Sequence, residues 1–212
     1  LSESIRSILT AIDFSYSINK EHQVIMVTGI VPKVGKSFIS TNLAAAYALV
    51  GKKVLYIDAD MRKGACRFSK VGLTDVLMGK KTFEETVYRG AEINGLDILE
   101  AGNFRMVAFE LLRDDKLQKL LDELRPKYDL IIIDTPPTGL VADAYMIYPL
   151  VDLTLVVLYY GLHSMDAIKE SLQNLDRYGD KPKAFVLNHC DDHESHYGYY
   201  GYYGYYGGKS GK

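Results

Sequence analysis

The sequence is poor in cysteine and has no long apolar run, and each absence excludes a class of protein. Its 212 residues contain two cysteines, Cys66 and Cys190, far apart in the chain. Such spacing excludes the disulfide framework of small secreted domains and favours a reducing compartment. No apolar run approaches the roughly 18 residues that a membrane-spanning helix needs, and no signal peptide is visible.

The chain also lacks an excess of charge of either sign. Lys and Arg number 25 against 27 Asp and Glu, which gives a formal net charge of −2. Since no overall field attracts a polyanion, no nucleic-acid partner is expected. An initiator methionine is absent too, because the chain opens on Leu1 within helical sequence. We therefore expect a piece of a longer protein, whose other segments this sequence does not describe.

Short apolar segments alternate with helical patterns along most of the chain. Strands are predicted at 23–28, 53–57, 96–99, 129–133, 153–158 and 184–187. Helices are predicted at 2–18, 36–50, 114–124 and 164–178. Several strands are apolar at consecutive positions, which is typical of strands buried on both faces of a parallel sheet. The pattern predicts a doubly wound, mainly parallel α/β domain with ligands at the carboxyl ends of its strands.

The first predicted strand leads through a short loop into a helix that begins with Lys36 and Ser37. In a phosphate-binding loop, backbone N–H groups surround phosphate oxygens and the helix N-terminus adds positive potential. Lys36 is expected to reach the β- and γ-phosphates, and the Ser37 hydroxyl to ligate Mg²⁺. The residues predicted to bind nucleotide here are Gly29, Lys33, Val34, Gly35, Lys36, Ser37 and Phe38.

The spacing of this loop departs from the usual pattern of glycine, four residues, then Gly-Lys-Ser. Five residues separate Gly29 from Gly35, and Ile30 occupies the position where a glycine is expected. The alternative interpretation is an ordinary strand-to-helix turn with a surface lysine. Strand, loop and helix fall where phosphate binding needs them, which favours the phosphate loop.

Two predicted strands run directly into carboxylates. One ends in Asp58 and Asp60, and another ends in Asp134. Carboxylates at the ends of buried strands suit a site for Mg²⁺ or a reacting hydroxyl. Ser37, Asp60 and Asp134 are the predicted metal ligands, and Lys36, Asp58 and Asp60 the predicted catalytic residues. Asp58 and Asp60 divide two tasks, a base for the nucleophile and a metal contact. For a single strand-end Asp, a helix cap or turn is the commoner role.

The last segment, 191–212, contains closely spaced tyrosines and glycines but no aliphatic residue that could build a core. Because glycine is costly to order, we predict a flexible tail. The candidate phosphate acceptors are Tyr197, Tyr199, Tyr200, Tyr202, Tyr203, Tyr205 and Tyr206. The alternative is a sticky Gly/Tyr low-complexity segment that carries no phosphate.

Together these motifs resemble the bacterial tyrosine kinases. The resemblance rests on the Gly35-Lys36-Ser37 loop, the Asp58-x-Asp60-x-Arg62 strand end, Asp134-Thr135-Pro136-Pro137 and the tyrosine cluster. Septum-site and chromosome-partitioning ATPases share the single motifs, but they carry a signature lysine where Val31 stands here. The resemblance implies a deviant P-loop NTPase fold that transfers phosphate from ATP, with Mg²⁺, to tail tyrosines of a neighbouring subunit.

The resemblance also implies partners and a location. Members assemble into a ring, typically an octamer, and are usually the cytoplasmic end of an inner-membrane polysaccharide co-polymerase. A cognate tyrosine phosphatase and the polysaccharide export machinery are then the expected partners. The chain divides accordingly into an oligomerisation helix at 1–20, a kinase domain at 21–190 and the tail at 191–212.

Three further positions are carried over from the family. Glu3 and Arg6 match its first-helix assembly motif, whose second arginine is Leu9 here. Asn188 falls where relatives bring an Asn to the adenine. The alternatives are an ordinary surface pair for Glu3 and Arg6, and a turn residue for Asn188. Arg62, after the acidic strand end, is interpreted as a phosphate or partner contact or, more commonly, as solvated surface.

Two other functions stay open at this point. The first is an ATPase switch of the partitioning class, which hydrolyses ATP to change its partner or membrane binding. The second is an assembly module in which ATP only joins subunits. Phosphate on the protein, ADP release alone, or neither product would distinguish the three.

Overall fold

A seven-stranded sheet runs through the part of the chain described by the computed structural model, which covers 2–16, 22–62, 68–90, 93–103 and 108–190. The strand order is β3-β4-β2-β5-β1-β6-β7. Neighbours are parallel except for the short pair of β3 with β4. The strands are β1 Gln23–Gly29, β2 Val54–Asp58, β3 Tyr88–Arg89, β4 Leu96–Leu99, β5 Leu130–Asp134, β6 Leu153–Tyr159 and β7 Lys183–Asn188.

Helices cover both faces of this sheet. They are α1 Glu3–Tyr16, α2 Lys36–Leu49, α3 Leu73–Leu77, α4 Phe83–Thr86, α5 Ala108–Arg113, α6 Lys116–Leu124, α7 Asp143–Ile147 and α8 Met165–Asp176. On one face, α1 and α2 bury Ile12 and Leu43 against the sheet. On the other face, Leu77, Leu121 and Leu175 belong to a second core contributed by the later helices. The predicted doubly wound, mainly parallel α/β fold is confirmed.

The central strands are recognisable in the sequence because they are buried on both faces of the sheet. Val24 to Val27 in β1 and Ile131 to Ile133 in β5 are fully buried. Removing apolar surface from water on both faces is the main stabilising contribution of such strands, at about 25 cal/mol per Å². Each predicted strand is present with ends within one residue, and each predicted helix within two. No helix among the described residues is long and apolar enough to cross a membrane.

Five short elements were not predicted: α3, α4, α5, α7 and β3. None is longer than the six residues of α5, so none repeats its apolar pattern often enough to show a period. The four helices among them contribute Leu77, Phe83, Leu111 and Ile147 to the core on the second face. The tail 191–212, its seven candidate acceptor tyrosines and Cys66 lie outside the described residues.

The strand order places the acidic strand ends beside the phosphate loop. β5 lies between β1 and β2, and Asp134 pairs in register with Val27 on one side and Asp58 on the other. The Asp58 and Asp134 backbones are therefore about 4.8 Å apart, the spacing of neighbouring strands. The strand order reverses at β1, and such a switch point is where open α/β sheets bind ligands.

Candidate active site

The loop between β1 and α2 has the backbone shape that phosphate binding requires. Gly35 has φ of +93° and Lys33 has φ of +63°, so two residues of the loop are left-handed. Gly35 begins α2 without a side-chain cap, and the first turn of α2 has no acidic residue. The first N–H groups of a helix have no acceptor within the helix, so this uncapped end favours an anion.

The backbone angle at Gly35 favours glycine, and the Asn188 side chain packs closely against this residue. A Cβ there would lie 2.1 Å from Asn188 Nδ2. That same Nδ2 donates a 2.9 Å hydrogen bond to the Val34 carbonyl. The last residue of β7 is thus hydrogen-bonded to the phosphate loop. The adenine contact predicted for Asn188 stays a prediction, and its observed contact is with the loop.

Ile30 explains the irregular spacing of the loop. Its side chain is buried in the core, and its carbonyl accepts a 3.0 Å hydrogen bond from Gly139 N. A Cβ on Gly139 would approach the Ile30 carbonyl oxygen to 2.5 Å. The phosphate loop and the loop after β5 are in contact at Ile30 and Gly139. The residue that has no room for a side chain at this contact is therefore Gly139, on the loop after β5.

The two loops are joined at further points. Thr138 N donates to the Gly29 carbonyl at 2.9 Å, and Thr28 Oγ1 donates to the Pro136 carbonyl at 3.1 Å. The Thr138 and Ser171 hydroxyls share a 3.0 Å hydrogen bond that extends the contact to α8. The loop after β5 is therefore built onto the phosphate loop, so a ligand that shifts one will shift the other.

The side chains predicted to act on phosphate are buried together at this edge of the sheet. Lys36 is 4% exposed, Asp60 5% and Asp134 2%. Burying an isolated charge is costly, and Lys36 and Asp60, which line the same cavity, carry opposite charges. Asp58, which is less deeply buried, accepts a 2.9 Å hydrogen bond from the Asp60 backbone N–H.

Tyr56 is a neighbour of this cluster that the sequence did not reveal. Its hydroxyl donates to Asp134 Oδ2 at 3.4 Å. Burial, followed by the charges of Asp134 and Asp58, holds the pKa of Tyr56 well above its ordinary value. The phenol therefore stays protonated and acts as a donor to Asp134.

Asp58, the last residue of β2, and Asp60, two residues further on, line different cavities. Asp60 lines a cavity of about 480 Å³, within the usual range of ligand pockets, whose lining also includes Lys36, Ser37 and Pro136. Asp58 lines a second cavity of about 370 Å³. Ser37 and Phe38 border both. Asp58 and Asp60, whose roles the sequence did not distinguish, therefore line separate cavities.

The second cavity is a largely apolar groove between α2 and β4. Its lining consists of Ser37, Phe38, Thr41, Ala44, Tyr56, Asp58, Phe68, Leu96, Ile98 and Glu100. The Phe68 ring stacks on Tyr88 with centroids 4.6 Å apart. Glu100 accepts hydrogen bonds from the Phe68 and Ser69 backbone N–H groups, which fixes the rim of the groove.

The oxygen ligands at this edge suit Mg²⁺. No three Asp, Glu, His or Cys side chains converge as a ready-made metal cage in the described ranges. Mg²⁺ commonly keeps several waters and binds through one or two carboxylates plus substrate phosphates. Ser37 at the start of α2, with Asp60 and Asp134 at the strand ends, matches that pattern, and their ligand roles remain a prediction.

Arg62 is more constrained than the solvated surface residue that the sequence favoured. Its Nε and Nη2 donate to the two carboxylate oxygens of Asp143 at 2.7 and 2.9 Å. Asp143 is the first residue of α7 and its side chain is 1% exposed. The hydrogen bonds that Arg62 donates to Asp143 hold the pKa of Arg62 above its ordinary value.

The first helix, α1, contains the residues of the predicted assembly motif. Glu3 and Arg6 form an exposed pair with 3.8 Å between Arg6 Nη1 and Glu3 Oε2. Leu9 is partly buried and packs against the core beneath α1 and α2. A leucine at this position therefore contributes to the fold, while the role of Glu3 and Arg6 in a ring stays a prediction.

The fold and the uncapped loop define a P-loop nucleotide-binding domain. The AAA domain family matches residues 22–185. The tyrosine-protein kinase Ptk of Acinetobacter johnsonii is 38% identical over 191 residues, which are 88% of this chain and 26% of that protein. The chain thus spans about a quarter of the length of the curated relatives it matches.

Solved structures carry the similarity further. The kinase domain of the Escherichia coli tyrosine kinase ETK is 32% identical with a TM-score of 0.80, covering 87% of this chain and 73% of that one. The BceF tyrosine kinase domain is 36% identical with a TM-score of 0.77, covering 86% and 76%. The chain therefore belongs to the bacterial tyrosine kinase family.

We predict that Gly35→Ala weakens the binding of Mg²⁺-ATP, because the added Cβ displaces the Asn188 amide from Val34 and strains a left-handed backbone by about 1–2 kcal/mol. Gly51→Ala is the matched control, since Gly51 lies beyond the other end of α2 with φ of +91° and no atom within 4 Å of its Cβ position. Calorimetric titration should show near-normal binding for Gly51→Ala. Equal affinities in both variants would contradict the assignment of the loop.

Proposed function

We propose that this chain is a Mg²⁺-ATP-dependent protein tyrosine kinase that phosphorylates the tyrosines of its tail. Its supports are the family to which it belongs and the names of its relatives as tyrosine kinases. The observation that carries the proposal is the position of Asp58 in a groove of its own beside the nucleotide cavity. A pure ATPase needs a water at the γ-phosphate, whereas this groove offers room for an aromatic acceptor.

Nucleotide binding is assigned to the loop and the start of α2. The backbone of Lys33, Val34 and Gly35 surrounds the phosphates, and the ammonium of Lys36 neutralises charge on the β- and γ-phosphates. Gly29 leaves room beneath the loop, since a Cβ there would lie 2.6 Å from Val34 Cγ2. Phe38, 60% exposed at the mouth of both cavities, provides apolar contact area.

Mg²⁺ held by Ser37, Asp60 and Asp134 would stabilise the charge on the phosphates during transfer. Asp134 is kept in place by the Tyr56 hydroxyl, and Asp60 lines the nucleotide cavity. Asn188 keeps the loop in register with β7 through Val34 and is also proposed to contact the adenine.

Asp58 is assigned as the base for the acceptor. A tyrosine ring in the groove would lie against apolar side chains such as Phe38 and Ile98, with its hydroxyl toward the Asp58 carboxylate. The phenol oxygen attacks the γ-phosphorus, the proton passes to Asp58, and the bond from the γ-phosphorus to the bridging oxygen breaks to release ADP. Ser37 and Phe38 border both this groove and the nucleotide cavity.

The acceptors are proposed to come from a second copy of the chain. β7 and β2 are separated by β6, β1 and β5, a distance of about 19 Å across the sheet. Nine extended residues from Asn188 to Tyr197 span at most about 30 Å, so length alone permits both a cis and a trans route. The trans route is proposed on the resemblance, with Glu3 and Arg6 at the contact between subunits of a ring, proposed as an octamer.

The parent protein is proposed to be an inner-membrane polysaccharide co-polymerase, with this domain on the cytoplasmic side. A cognate phosphatase would remove the phosphates and the export machinery would respond to them. Each phosphate adds close to two negative charges, so several on one tail repel the carboxylates of the site and each other. Phosphorylation is therefore proposed to release tails and loosen the ring.

The trans route predicts that two inactive chains complement each other. Lys36→Met retains the tail but loses the lysine at the phosphates, while a chain ending at residue 190 retains the site but loses the acceptors. Mixed with Mg²⁺-ATP, they should yield phosphotyrosine on the Lys36→Met chain, as detected by electrophoresis and immunoblotting. Each alone should yield none. Labelling of wild-type chains without labelling in the mixture would show a cis reaction instead.

The separate cavities predict separate effects of the two strand-end acids. Asp58→Asn should lower the phosphotransfer rate about 10²- to 10⁴-fold, the usual contribution of a general base, with ATP affinity changed only a few-fold. Asp60→Asn should weaken Mg²⁺-ATP binding itself. Single-turnover rates and calorimetric affinities measure the two effects. If both variants lose rate and affinity in the same proportion, the division of roles is wrong.

A further inference from the structure

The ion pair between Arg62 and Asp143 joins two chain segments that are 81 residues apart. Both carboxylate oxygens of Asp143 accept from the guanidinium, at 2.7 and 2.9 Å, which is the paired geometry that fixes the plane of an arginine. Asp143 is almost completely buried, whereas the Arg62 side chain is 38% exposed. The carboxylate therefore acts as a fixed anchor, and the guanidinium reaches from it toward solvent.

The exposed part of the Arg62 side chain faces the nucleotide cavity. Arg62 is part of its lining, together with Lys33, Lys36 and Ser37. Among the described residues of this lining, Lys33, Lys36 and Arg62 are cationic and Asp60 is the one carboxylate. Such a lining has an excess of positive charge, which complements the phosphates of a nucleotide.

The guanidinium has donors beyond those that Asp143 accepts. An arginine carries five N–H groups, and the pair with Asp143 uses one on Nε and one on Nη2. The remaining three lie on the terminal nitrogens, which is the side that a bidentate phosphate contact uses. A buried anchor behind such a group reduces the conformational freedom that is lost when a ligand binds.

We propose that Arg62 is a direct ligand of the terminal phosphate of the bound nucleotide, and that Asp143 is the residue that positions it. This assignment rests on nucleotide binding at the site, but not on the transfer of phosphate to tyrosine. Charge on the γ-phosphoryl oxygens persists in the transition state, so the same contact would favour transfer. Asp143 touches no reacting atom and acts through Arg62.

The test compares the affinities for Mg²⁺-ATP and Mg²⁺-ADP, measured by calorimetry on the same 212-residue chain. The wild-type chain should bind ATP more tightly than ADP. Arg62→Gln should reduce this preference about tenfold or more, because the lost contact is a charged hydrogen bond to the phosphate that only ATP carries. Asp143→Asn should reduce it in the same direction by less, because the arginine remains but is no longer held.

A matched control lies at the other end of the sheet. Arg125 pairs with Asp152 at 2.6 Å and also donates to the Leu150 and His22 carbonyls, before β5 and beside the amino end of β1. Arg125→Gln should lower the thermal unfolding temperature, as should Arg62→Gln. Its preference for ATP over ADP should equal that of the wild-type chain.

The assignment is overturned if Arg62→Gln lowers the affinities for ATP and ADP by equal factors, or changes neither. It is also overturned if the wild-type chain shows no preference for ATP. Should Arg62→Gln not fold, Arg62→Lys keeps the charge but loses the paired geometry, and its ATP preference should fall between those expected for the wild-type chain and Arg62→Gln. A chain that binds ATP with this preference yet forms no phosphotyrosine would refute the kinase function while leaving the Arg62 contact intact.

Discussion

The buried charge of Lys36 is the constraint on which the rest of this site depends. Its side chain is 4% exposed at the first position of α2, where an ammonium could not remain without nearby negative charge. The carboxylates Asp58 and Asp134, which end β2 and β5, lie at the same edge of the sheet. Because β5 lies between β1 and β2, three loops of distant sequence meet at this edge. A nucleotide with Mg²⁺ would enter an arrangement of charges that is already assembled.

Rigidity around this cluster comes from backbone contacts between loops. The loop after β5 donates to the carbonyls of Gly29 and Ile30, and Asn188 holds Val34 from the side of β7. Asp58 accepts the Asp60 N–H, so even the acidic strand end is fixed by its own chain. Catalysis by positioning requires such preorganised groups, since phosphoryl transfer leaves little covalent chemistry to the protein.

The sequence predicts the central sheet, because buried parallel strands are short apolar runs. It also indicates the edge where the candidate site lies, because Asp58 and Asp134 end two strands and Lys36 begins the helix after β1. Short elements and contacts between distant residues leave no local pattern, so the sequence does not predict them. Helices of five or six residues, such as α7, show no period, and nothing near Asp143 indicates that its partner is Arg62. Likewise, the structural role of Ile30 depends on a loop that lies over 100 residues away. Long-range pairings of single residues leave no periodic signal.

The proposed destination of the phosphate is tested most directly by the mass of the protein itself. The purified 212-residue chain is incubated with Mg²⁺-ATP, and its intact mass and fragment spectrum are recorded. We predict gains in whole phosphate units, located on the tyrosines between 197 and 206. Release of ADP with an unchanged protein mass would contradict a tyrosine kinase and would favour an ATPase switch built on the same loop.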